Sequence, residues 1–162
     1  MLFLMLWVAG LLLAAIHVAL RRATLRPWQV IETFLLYQFA LGLGITGLLG
    51  FMGHGLNPVA TAQGIGWPPN PQFQFELAAF ELGYALAAFL CLFVRNEHFW
   101  LGVAIAPSVF LVLAVVQHIY EVAAKGNLAP YNVVTAAPDV LIPATILLLI
   151  ALYFRVSRGT DK

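Results

Sequence analysis

Five long stretches of this chain carry almost no charge, and that pattern limits what it can fold into. They are Leu2–Leu20, Val30–Gly53, Phe75–Val94, Phe99–Val122 and Val140–Val156. A helix needs about 20 apolar residues to cross a hydrocarbon core. In hydrocarbon, each backbone polar group must be satisfied within its own segment, so helices are the spanning form open to such a chain. Hydrophobic residues make up 62% of the sequence and charged residues 9%, where a soluble domain carries about a quarter charged. The expectation is an all-α membrane protein: one integral domain over residues 1–162, built as a bundle of five transmembrane helices. The fifth stretch is the shortest and contains Pro143, so its limits are the least defined.

The basic residues orient the bundle. Arg21, Arg22 and Arg26 follow the first stretch, Arg95 follows the third, and Arg155, Arg158 and Lys162 close the chain. With five spans these regions share one face and hold seven of the eight Lys and Arg, leaving Lys125 opposite. The positive-inside rule then places the N-terminus outside and the C-terminus in the cytoplasm. No basic residue precedes the first stretch, and Arg21 and Arg22 follow it directly, so it reads as a retained helix rather than a leader peptide. The implied location is a membrane bounding the cytoplasm, crossed several times. A net charge of +1 provides no basic patch and excludes nucleic acid as a partner. The single cysteine, Cys91, excludes an internal disulfide and a thiolate metal cluster, and it reads as a small packing residue.

Two connections on the outer face are long and rich in Pro, Gly and Asn, over Gly53–Gln72 and Ala124–Asp139. Those residues favour ordered turns over helices, and the expectation is a lid over the outer ends of the bundle. Small residues mark close helix packing in lipid. Gly44, Gly47, Gly50 and Gly53 recur along the second span, and Ala79, Gly83 and Ala87 form a second ridge on the third. The first span has no such ridge and is expected at the bundle edge.

Ionisable groups inside apolar segments are costly unless they pair or bind something. Threading brings His54, Glu76, Glu81, His118, Glu121 and Asp139 to similar depth near the outer face. His118 and Glu121 share a helix face at i, i+3. That pattern suits a metal with its surroundings, although Glu121 reads as an exposed residue beyond the hydrocarbon, and His118 as equally able to hydrogen-bond a neighbouring helix. Glu76 near the start of the third span suits a helix N-terminus. Because Ala79 and Gly83 lie near its face, Glu76 is expected to point inward and Glu81 to find another partner. Asp139 reads first as the N-cap of the fifth helix. Pro143, four residues on, also frees the Asp139 carbonyl of its helical partner. Asn127 and Asn132 flank Pro130 and are expected to fix the second loop.

At these residues the chain resembles a known family. Gly66-Trp67-Pro68, Phe73-Gln74-Phe75-Glu76, His118-Ile119-Tyr120, the run Asn127 to Asn132, and Asp139 with Pro143 are similar to an uncharacterised, domain-of-unknown-function family of small bacterial multi-pass membrane proteins. The likeness covers about residues 50 to 150, leaves out the first span, and implies no catalytic roles.

Two functions compete. In the first, a His/carboxylate site at the outer face binds a metal or small cofactor, with a redox-linked use among the options. Its expected ligands are His54, Glu76, His118 and Asp139, with Glu81, Tyr120, Glu121, Asn127 and Asn132 in support. Nitrogen and oxygen donors without sulfur suit Zn, Fe or Mn. Two histidines could hold a haem, and Tyr120, His118 and Glu76 could hydrogen-bond a quinone. In the second, the protein is an accessory or assembly subunit of a larger membrane complex, or a homo-oligomer, and the polar cluster is structural. A channel is disfavoured, because the inner halves of the last three spans are almost wholly apolar.

Overall fold

The computed structural model describes residues 1–157. Arg158 and Lys162, which enter the charge argument above, lie outside them. The described residues are helical, and five helices are long and apolar enough to cross a membrane. Helix α1 is Leu2–Arg21. Helix α2, Pro27–Leu56, is continuous but contains two π-helical stretches, Gln38–Ile45 and Met52–Leu56. A short α3, Pro58–Ile65, precedes α4, Pro71–Leu90. Helix α5 is Glu97–Lys125 and runs through Pro107. A single turn, α6 at Pro130–Val134, leads into α7, Ala136–Ser157, which contains Pro143.

Local chemistry sets the helix limits. Asn70 and Asn96 accept hydrogen bonds from the first turns of α4 and α5 through their side chains, satisfying N–H groups that have no partner inside a helix. Proline stands at the first position of α2, α3, α4 and α6, where its missing N–H costs nothing. Gly126 ends α5 at φ 64°, and the Asn127 N–H closes back on the Glu121 carbonyl at 3.0 Å, a left-handed cap that glycine adopts without strain.

Contacts define two ends. At one, Arg95 pairs with Glu32 at 2.9 Å, and Trp28 and Trp100 both pack edge-on against Tyr153. The Trp100 indole also donates to the Val94 carbonyl at 2.9 Å, closing the turn between α4 and α5. At the other end lie His54, Gln74, His118 and Asp139. Between them runs a core of Leu35, Phe39, Leu43, Trp100, Ile142 and Ile146, and α5 packs most extensively on α7.

The glycines of the second span serve close packing. A Cβ at Gly44 would meet Phe89 at 2.7 Å, one at Gly47 Tyr84 at 2.5 Å, and one at Gly50 Glu81 at 2.3 Å. Thus α2 rests directly on α4. The ridge of Ala79, Gly83 and Ala87 does not pack in this way: nothing stands within 4 Å of a Cβ at Gly83. Helix α1 does sit at the edge. It is held by the Trp7 indole donating to Thr145 at 3.1 Å and by Gln38 donating to the Trp7 carbonyl at 3.1 Å.

The two connections at the His118 end are ordered, but each contains a short helix, α3 and α6, where turns alone were expected. The preceding prolines start those helices. Helix α7 begins at Ala136, so Asp139 lies in its first turn with its N–H bonded to the Thr135 carbonyl at 3.2 Å. It is not the N-cap.

Candidate functional site

His118 is the centre of the arrangement and is 8% exposed. Its Nδ1 lies 2.7 Å from Asn132 Oδ1, while Asn132 Nδ2 donates to the Asn127 carbonyl at 2.8 Å. That second bond fixes the amide orientation and leaves Oδ1 as acceptor, so Nδ1 carries a proton. On the other side, Nε2 is 3.2 Å from Thr135 Oγ1. The Thr135 hydroxyl donates to the Tyr131 carbonyl at 2.6 Å, which holds it beside the ring. The ring also faces Asp139, with Nε2 3.8 Å from Oδ2.

Asp139 is buried on the first turn of α7 and is near enough for its charge to act on Glu81 and Tyr84 of α4. Glu81 is 7% exposed, and its Oε2 has no hydrogen-bond partner among the described residues. It fits against α2 because Gly50 has no side chain. Asp139 thus faces the His118 ring and acts on Glu81, and one Glu81 carboxyl oxygen remains unsatisfied among the described residues. A buried polar atom in that condition is costly until something supplies a donor or a positive charge.

Glu76, expected to point inward, lies on the exposed face of α4. Glu81 takes the inward place because Gln74, Ala78, Glu81, Ala85 and Ala88 form the buried stripe of that helix. Glu121, expected to be exposed, is 4% exposed. It accepts from Lys125 at 2.7 Å, Gln117 at 3.1 Å and Asn127 at 3.2 Å. The Asn127 amide also donates to the Ile65 carbonyl at 2.9 Å, so Glu121 ties the end of α5 to both connections. His54 pairs with Gln74 rather than with His118. Tyr120 is 53% exposed beneath the Lys125 ammonium.

The expected metal set of His54, Glu76, His118 and Asp139 is therefore not assembled. Among the described residues no three His, Cys, Asp or Glu side chains gather to hold a metal ion. Asp139 reaches the His118 ring at 3.8 Å and acts on Glu81 through its charge, while Asn132 and Thr135 orient the ring. Sequence reasoning missed Gln74, Tyr84 and Thr135. The 4-3-4-3 spacing from Gln74 to Ala88 is a helical signal that could have found the first; Tyr84 lies one position off that stripe.

Fold and site together define a class: a helical bundle with five helices of membrane-spanning length and a buried His/carboxylate cluster at one end. The chain belongs to a family of unknown function (DUF6790), whose profile matches residues 1–159 and so takes in the first long helix as well. No curated protein and no solved structure matches it.

Proposed function

We propose that this is a multi-pass protein of a bacterial inner membrane, with its His118 end outside, and that the Glu81–Asp139–His118 cluster binds a small ligand entering from that face. The ligand brings hydrogen-bond donors or positive charge. The observation that carries this reading is the unsatisfied Glu81 oxygen beside Asp139. In a protein whose other buried polar groups are largely paired, an acceptor left open next to a second carboxyl is complementary to such a ligand. The freed Asp139 carbonyl, four residues before Pro143, adds an acceptor on the same turn. His118 is held at both ring nitrogens, by Asn132 and Thr135, so it positions Asp139 rather than contacting the ligand.

The test is elemental analysis, the visible spectrum and native mass spectrometry of the full chain purified in mild detergent, beside Glu81→Gln. A small adduct on the native chain that is lost from the variant is expected. An adduct equally retained by the variant, or none under any gentle extraction, would refute the reading. The accessory-subunit reading has one observation in its favour, the exposed face of α4 that bears Glu76.

A further inference from the structure

At the His118 end, the start of α4, the end of α5 and the segment from Trp67 to Asn70 enclose an open pocket of about 670 Å³. Several of its lining groups are N–H donors in want of an acceptor. The Lys125 ammonium bonds Glu121 at 2.7 Å, and its side chain is 55% exposed, so two of its three N–H groups remain free. Gln117, on the same wall, gives one amide N–H to Glu121 at 3.1 Å and keeps the other. Gln72 is exposed on the facing wall. Neither its side-chain amide nor its backbone N–H, in the first turn of α4, has a partner among the described residues. The Glu121 carboxylate also borders the pocket, but it already accepts from Lys125, Gln117 and Asn127. It offsets part of the Lys125 charge and leaves the free donors unanswered.

One turn inward the surface becomes apolar. Leu113 lies four residues before Gln117 on the same face of α5, and it is exposed, as are Val116 beside it and Phe73 on the facing wall. Trp67 packs on Phe73 with ring centroids 6.3 Å apart, as suits an indole at the boundary between water and hydrocarbon. Free donors and a cation above exposed apolar side chains match a molecule with an anionic head and apolar tails; a soluble anion would use the upper part alone. We propose that this pocket holds the phosphate of a membrane phospholipid from the leaflet at the His118 end. Lys125 meets the charged oxygens, Gln72 and Gln117 add hydrogen bonds, and the acyl chains lie along Leu113 and Val116. This assignment rests on the membrane reading above and is independent of the Glu81 cluster, which lies on the buried face of α4.

The experiment uses the full chain, delipidated in mild detergent and titrated with dioleoylphosphatidylglycerol, dioleoylglycerol or inorganic phosphate, with native mass spectrometry to count adducts. The phospholipid is expected to bind saturably, and the other two at least about tenfold more weakly. Lys125→Gln should weaken the phospholipid by at least about tenfold, while Lys125→Arg keeps most of the affinity. Gln72→Leu, at a side chain with no hydrogen bond among the described residues, should weaken it by about threefold or more and gives the reading if Lys125→Gln does not fold. Arg22→Gln at the other end and Glu81→Gln in the buried cluster should leave it unchanged. Dioleoylglycerol binding as tightly as the phospholipid would make the site an apolar groove, and phosphate doing so would make it a soluble-anion site. Either result overturns the proposal, as does phospholipid binding indifferent to both Lys125→Gln and Gln72→Leu.

Discussion

Replacing Gly50 by alanine tests the placement of Glu81 directly. The added Cβ would lie 2.3 Å from Glu81 Oε1, 2.6 Å from Cδ and 2.8 Å from Oε2. Overpacking of that kind costs about 1–3 kcal/mol, while the gain in helix propensity on removing a mid-helix glycine returns up to about 1 kcal/mol. Overpacking wins, because Glu81 is buried and can swing away only by displacing its neighbours. A net loss of about 1–2 kcal/mol is expected. Glu81→Ala removes the group that the new methyl strikes, so in that background Gly50→Ala should be neutral or stabilising. The coupling in the double-mutant cycle should then reach about 1 kcal/mol or more. Reversible unfolding in mixed detergent micelles, followed by circular dichroism, measures all four chains. Strict additivity, or a Gly50→Ala chain as stable as the native one with Glu81 intact, would show that the Glu81 carboxyl is elsewhere.

His118→Ala strands Asp139 and Asn132 and should cost about 3 kcal/mol, with strong coupling to Asp139→Asn and simple additivity with Glu76→Gln in the same unfolding assay. Glu121→Gln should loosen the connection around Asn127, seen as faster limited proteolysis between residues 126 and 130 while the helices stay intact. Accessibility labels at Asn70 and Asn127 should report the outside, while a label in the Arg22–Arg26 loop and a reporter after Lys162 report the cytoplasm; Asn70 and Asn127 on opposite faces would break the five-span reading.

The long helices were legible because their signal is local. Five runs with almost no charge declare themselves, and four prolines and two asparagines place helix starts to within a few residues of the expected ones. The glycine ridge of α2 was legible for the same reason: a repeated small residue implies a close neighbour, and Phe89, Tyr84 and Glu81 are that neighbour. The same rule misled on α4. Ala79, Gly83 and Ala87 imply a close approach that the described chain does not make at Gly83, and taking their face as the inner one exchanged Glu76 for Glu81. The burial of Glu121 was not legible, because it depends on Asn127 folding back to the Ile65 carbonyl across 62 positions of sequence. Nor were the π-helical stretches of α2. They shift which residues face the bundle, placing Gln38 fully inside with one carboxamide oxygen unpaired, and their sequence carries no proline or charge to announce them.

Whether the Glu81–Asp139–His118 cluster receives a ligand is tested most directly by ligand-induced stabilisation. The full chain in detergent is titrated with alkali cations, ammonium, small primary amines and divalent metal ions, and unfolding is followed for the native chain, Glu81→Gln and Asp139→Asn. A ligand present at a hundredfold excess over its Kd should stabilise the native chain by about 2.7 kcal/mol, and both variants should lose that gain while Glu76→Gln keeps it. An equal gain in all four chains would place binding elsewhere, and no gain from any donor-bearing or cationic ligand would contradict the account.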